Sequence, residues 1–219
     1  MGSAERAEEK ETASSYEAAA ALREALAGNA AETRQRAATA LGLSTGRDVQ
    51  YATGLALAFA GDATKAQALA DDLANRFPED TLAQFNYLPT IRAQLVISRH
   101  DSSRAVETLQ AAAAYELGTP GFFRFLSLYP VYVRGEAYLA AHQGSEAAAE
   151  FQKILDHRGI VLNEPIGALA HLGLGRAYVL HADTAKAKAA YQDFLALWKD
   201  ADPDIPVLIA AKAEFTKLK

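Results

Sequence analysis

With 219 residues, half of them hydrophobic and 22% charged, the chain is long enough for one large domain or an array of small units and too apolar to be disordered. Its net charge of −5 disfavours a nucleic-acid surface, which needs a basic stripe, and also adhesion to anionic lipid. It has no cysteine, so disulfides and thiolate metal sites are excluded. Alanine and leucine dominate the apolar class, and they are the best apolar helix formers, whereas strands favour Val, Ile and Thr. No apolar run reaches the roughly 18–20 residues that span a bilayer. Residues Ala4 to Thr12 are charged where a signal peptide is apolar. Met1-Gly2 directly before a charged helical stretch points to a piece excised from a longer protein.

Residues 1–14 form a leading segment, helical or disordered. The first strong helical pattern runs from about Ser15 to Ala27 and stops at Gly28-Asn29. The second covers about Ala31 to Leu41, before a loop at Ser44, Thr45 and Gly46. A helix from about Asp48 to Ala60 follows, with Asp48 as its expected N-terminal cap. After the Gly61-Asp62 turn, another runs from about Ala63 to Arg76 and closes at Phe77-Pro78. The pattern from Thr81 to about Ser98 contains Pro89, so the helix either kinks or begins there. Ser102 to Tyr115 comes next, ending in Leu117-Gly118-Thr119-Pro120-Gly121. Phe122 to Ala141 repeats the puzzle with Pro130, and Ser145 to Asp156 follows Gly144. His157 to Glu164 reads as a loop. Pro165 opens a helix to about His181, Thr184 to Lys199 pairs with it, and Pro206 opens a last helix to about Leu218.

A cadence of small and large residues recurs along these helices. Gly135, Tyr138, Ala147 and Phe151 are spaced by 3, 9 and 4 residues, and Gly175, Tyr178, Ala187 and Tyr191 repeat those steps 40 residues later. Gly54, Leu57, Gly61, Ala66, Leu73 and Pro78 form an earlier unit. Ala93, Val96, Ala105, Leu109 and Ala112 form a weaker one, and Ala21, Gly28, Ala37 and Ala40 the weakest. Second helices starting at Thr33, Ala66, Ala105, Ala147 and Ala187 give steps of 33, 39, 42 and 40. The surplus length is expected in first helices extended at Pro89 and Pro130 and in the His157–Glu164 loop. Such spacing is a packing signature, and a repeat of helical hairpins builds a binding surface.

The cadence resembles the tetratricopeptide (TPR) repeat, two antiparallel helices in about 34 residues. The resemblance implies an all-α, right-handed α-solenoid of about five hairpins (15–43, 48–78, 81–117, 122–157 and 165–199), with residues 201–219 as a capping helix. A closer likeness lies in Tyr129-Pro-Val-Tyr-Val-Arg-Gly-Glu-Ala-Tyr-Leu-Ala140, Phe151-Gln-Lys-Ile-Leu-Asp-His-Arg-Gly159, Ala190-Tyr-Gln-Asp-Phe-Leu195 and Trp198-Lys-Asp-Ala-Asp-Pro203. These runs resemble the C-terminal TPR region of bacterial eukaryote-like serine/threonine protein kinases. That resemblance implies a sensory or interaction tail, outside the cytoplasm if a membrane span precedes it and cytoplasmic otherwise. The kinase itself is missing: His157-Arg158-Gly159 lacks the catalytic Asp, and Asp193-Phe194-Leu195 lacks the Gly of the metal-binding triplet.

Other chemistry finds little footing. Gly173 and Gly175 sit inside a helical pattern, so close helix packing explains them better than a dinucleotide loop. His100, His142, His157, His171 and His181 have no zinc-site spacing. His100, His142 and His181 fall where a turn glycine would otherwise sit. Asp71 with Asp72, and Asp200, Asp202 and Asp204, lack the calcium-loop pattern. No nucleophile elbow is present. No enzyme, cofactor or metal is expected.

The ligand would be a protein or peptide. Family geometry implies an inner groove of Tyr51, Leu55, Thr90, Gln94, Tyr132, Glu136, Leu172 and Arg176, extended by Tyr87 and Tyr129. Tyrosine suits such a surface, giving apolar area and a hydroxyl at low entropic cost. The groove lacks the Lys and Asn set that grips chaperone tails. Phe122, Phe123 and Phe125 cannot all face one side of a helix and form a candidate partner patch. The alternatives are a homo-oligomerising scaffold that uses this patch, or an effector-binding tail of a transcriptional regulator.

Overall fold

The computed structural model describes residues 2–118 and 127–218, the side chains of residues 2–8 excepted. The described residues are helical, with no strand among them. Five helical pairs follow one another: α1 (Gly2–Ala27) with α2 (Ala30–Leu43), α3 (Arg47–Phe59) with α4 (Ala63–Arg76), α5 (Leu88–Ile97) with α6 (Ser102–Leu109), α7 (Tyr129–Ala140) with α8 (Gly144–Asp156), and α10 (Pro165–Leu180) with α11 (Thr184–Leu197). A short α9 (Arg158–Val161) joins the last two pairs, and α12 (Pro206–Thr216) ends the chain. No helix among the described residues is long and apolar enough to cross a membrane.

One turn, used five times, makes the pairs. Gly28, Gly61, His100, His142 and Ala182 all have positive φ, between 57° and 96°. In each case the next residue's N–H reaches back to the carbonyl five positions earlier. These bonds are Asn29 to Glu24 (2.8 Å), Asp62 to Leu57 (2.9 Å), Asp101 to Val96 (3.3 Å), Gln143 to Tyr138 (2.8 Å) and Asp183 to Tyr178 (3.0 Å). This is the Schellman closure, which satisfies carbonyls that the helix end leaves open. The residue after the left-handed one then caps the second helix. Asp62, Asp101 and Asp183 accept from the backbone N–H of Lys65, Arg104 and Lys186. His100 and His142 therefore occupy glycine positions, as expected. In the last turn Ala182 takes that place, and the adjacent His181 pairs its Nε2 with Ser145 Oγ at 2.7 Å.

Glycines set the spacing between helices. A Cβ on Gly135 would lie 2.8 Å from the Phe151 ring, and one on Gly173 would lie 2.6 Å from it. Phe151 is thus held between its own pair and the next. Gly175 stands in the same relation to Tyr191 (2.8 Å), and Gly54 to Ile91 (3.0 Å). The Gly173 and Gly175 pair serves packing.

Several boundaries differ from expectation. α1 is one continuous helix from Gly2: the leading segment takes the helical of its two expected forms and runs on into the helix expected from Ser15. Gly46, not Asp48, sits at the α3 N-cap. Ahead of Pro89 the chain widens into a π-turn, Ala83–Tyr87, where Leu88 N–H donates to Ala83 O. The proline ring would collide with the carbonyl four residues back, and one inserted residue removes the collision. Pro130 stands in the first turn of α7, so this helix starts at Tyr129; the stretch 119–126 lies outside the described residues. α6 ends at Leu109 in a 3₁₀ turn, short of Tyr115. The expected loop at 157–164 contains α9.

Packing follows chain order. α1 packs on α2 and α3, α3 on α4 and α5, α5 on α6 and α7, α7 on α8 and α10, α10 on α11, and α11 on α12. One further contact breaks the sequence: α12 also meets α1. A Cβ on Gly28 would lie 2.8 Å from Pro206 Cβ. An array with separated ends is therefore not what forms, because the last helix returns to the first.

Candidate functional site

The expected groove is not open to a ligand. Tyr51, Leu55, Tyr87, Thr90, Tyr129, Tyr132 and Leu172 are all buried, and Gln94, Glu136 and Arg176 are only partly exposed. The tyrosines pack on the protein itself. Tyr51 and Tyr87 stack with ring centroids 3.8 Å apart, and Tyr132 meets Phe59 and Phe151 edge-on. Tyr87 donates its hydroxyl proton to Asp48, and Tyr129 donates to Glu164, both at 2.8 Å. Burial, reinforced by these carboxylates, pushes both phenols far above their ordinary pKa, so they act as neutral donors. Arg23 on α1 acts electrostatically on both Tyr129 and Glu164 and lowers both pKa values slightly against the larger effect of burial.

Arg176 is likewise committed. It grips Glu214 of α12 through Nε and Nη2, both at 2.9 Å, while Tyr191 donates to the same carboxylate at 2.7 Å. Burial works against the Glu214 charge, but Arg176 and Tyr191 outweigh it and hold its pKa low. Glu136, in the same cluster, is pushed upward by burial and by Glu214, against the pull of Arg176. The candidate groove residues are thus brought together, but as interior. Family geometry implied a ligand-facing surface; packing between neighbouring pairs turns it into core. The Phe122, Phe123 and Phe125 patch lies outside the described residues.

One accessible hollow lies where the surplus residues between the last two pairs build α9. It measures about 490 Å³ and is bounded by the end of α8, α9, the start of α10 and the end of α11. Its lining is mostly apolar, including Leu155, Val161, Leu162, Ala168, Leu197 and Trp198. Trp198 packs on Phe194 with centroids 5.1 Å apart. Leu197 and Leu162 are 61% and 60% exposed, unusual for leucines that rim a hollow. Leu162 also has φ 54° and ψ −124°, a backbone conformation that non-glycine residues avoid.

Three ionisable groups border this hollow. Arg158 lines it and acts on His171. Burial depresses the His171 pKa and Arg158 adds to the effect, while Asp193, 3.6 Å from Nδ1, opposes it. His171 is therefore neutral near pH 7. Glu164 faces the hollow but is held by Tyr129. A second hollow of about 410 Å³, beside Leu139, Val179, Leu180 and Leu218, has the paired Arg176 and Glu214 in its wall. The α9 hollow differs because its arginine has no ion-pair partner among the described residues. Sequence spacing flagged the 157–164 surplus as a loop but not Arg158, Leu162, Leu197 or Trp198 as a group. They come from two segments, 158–162 and 197–198, that only the α9 corner brings together.

Among the described residues, no group of three or more His, Asp or Glu side chains converges to hold a metal. Ser145 and His181 form an exposed pair, and neither lines the hollows above. No protein-family model, curated protein or solved structure matches the chain.

Proposed function

We propose that the chain is a non-catalytic protein- or peptide-binding module, a right-handed α-solenoid of five TPR-like hairpins with α12 as its cap. The observation that carries this reading is the fivefold recurrence of one turn, from Gly28-Asn29 to Ala182-Asp183, with the same backbone closure each time. Glycine against a bulky ring at Gly135, Gly173 and Gly175 supports it. Repeats of this kind offer surface for recognition rather than an assembled set of reacting groups. The docking surface in this reading is the α9 hollow, because the inner tyrosines are buried. Within a longer protein, the quoted resemblance assigns the module to the tail of a bacterial serine/threonine kinase.

The test is selection from a phage-displayed library of random dodecapeptides on the folded chain, with Leu197→Glu as the counter-target. Leu197 is exposed, so the variant keeps the fold. Enrichment that disappears on Leu197→Glu is the expected result. No enrichment, or enrichment indifferent to that change, refutes the reading.

A further inference from the structure

The charge of the α9 hollow restricts what it accepts. We infer that it takes an acidic peptide segment, which seats a large apolar side chain on Leu197 and Trp198 and sets a carboxylate on Arg158. This rests on the peptide-binding reading above and adds the chemistry of the partner.

Arg158 is exposed, and its guanidinium has no carboxylate within ion-pair reach among the described residues. The nearby acids are placed otherwise. Glu164 accepts a hydrogen bond from the Tyr129 hydroxyl, and Asp193 stands beside His171, largely in solvent. An apolar segment laid on Leu197 and Trp198 would strip water from Arg158. With a neutral partner the guanidinium would lose hydration and gain nothing, and a basic partner would add repulsion. A carboxylate offsets that loss through a charge-assisted, two-pronged hydrogen bond. Leu162 supplies an independent sign that the rim is shaped for contact. Its unfavourable backbone conformation holds an apolar side chain out toward water, and strain of this kind concentrates at ligand clamps.

Trp198 is the only tryptophan in the chain, so its emission reports on the hollow directly. The experiment sequences the library clones, then titrates a synthetic peptide of the enriched sequence and its Gln/Asn analogue against the protein and Arg158→Ala. The expected result is an enriched sequence with Asp or Glu close to a large apolar residue, and a saturable change in Trp198 emission. Loss of the acid and Arg158→Ala should each weaken binding about tenfold, with no further loss when combined. Enriched peptides without an acid, or acidic peptides that bind Arg158→Ala equally well, overturn this inference while peptide binding stands. Acidic peptides that leave Trp198 emission unchanged bind elsewhere and overturn it too. A library that yields no binder removes both readings.

Discussion

The inner face and the α9 corner are built from the same residue types to opposite ends. Inside, aromatic rings meet glycines and one another, and the Tyr87 and Tyr129 hydroxyls end on carboxylates. At the corner, leucines and a tryptophan stand partly in water beside a guanidinium that has no partner among the described residues. The contrast separates a face packed inside the fold, where Tyr51 Oη, Thr53 Oγ1 and Gln94 Oε1 are buried without a hydrogen-bond partner among the described residues, from one left open to water. Aromatic content alone cannot make that distinction, because burial decides it.

The sharpest way to break the comparison is to empty the inner packing. Phe151→Ala should lower stability by about 3–5 kcal/mol, read as a shift in the urea midpoint. A loss near zero would mean that Gly135 and Gly173 do not clamp the ring. Tyr129→Phe should cost about 1–3 kcal/mol, because it leaves the half-buried Glu164 carboxylate without its donor. Thermal unfolding of the two proteins side by side measures this.

At the corner the sign should reverse. Leu162→Gly removes a disfavoured conformation and should raise stability by about 1 kcal/mol, while weakening any peptide selected on the hollow. A variant that melts lower would show that the Leu162 side chain serves the core. The smallest effect concerns Glu136. Its pKa is raised on folding, chiefly by burial, so the folded form holds the proton more tightly. The stability from this group is fully present below the ordinary carboxylate value of about 4.3 and is lost as pH rises through the folded value. Glu136→Gln should therefore gain on the parent protein as pH climbs from about 4.3, a difference visible in paired melting curves. A constant difference across pH would place the carboxylate in water.

The helical pairs were legible because each depends on neighbours in sequence. Gly28-Asn29 and Gly61-Asp62 announce their turns, and His100 and His142 stand where the same geometry recurs. The last turn slipped by one residue because Ala182, with no sequence signal for positive φ, takes the left-handed place instead of His181. The helix interruption at Pro89 was visible, but the π-turn before it was not, since a kink and a fresh start also accommodate proline. The inner site was misjudged for a longer-range reason. Whether Tyr51 or Tyr129 faces water depends on how far the array curls, and curvature accumulates over every interface. No local spacing encodes the meeting of Gly28 with Pro206, and none encodes the juxtaposition of Arg158 with Trp198.

That meeting changes how the molecule should come apart. A linear stack frays from its ends, each unit leaning only on its neighbours. Here α12 latches onto the first hairpin at a glycine whose conformation suits no bulkier residue, so neither end can loosen without disturbing the other. The array behaves as a buckle and not as a spring, with Gly28 as its pin.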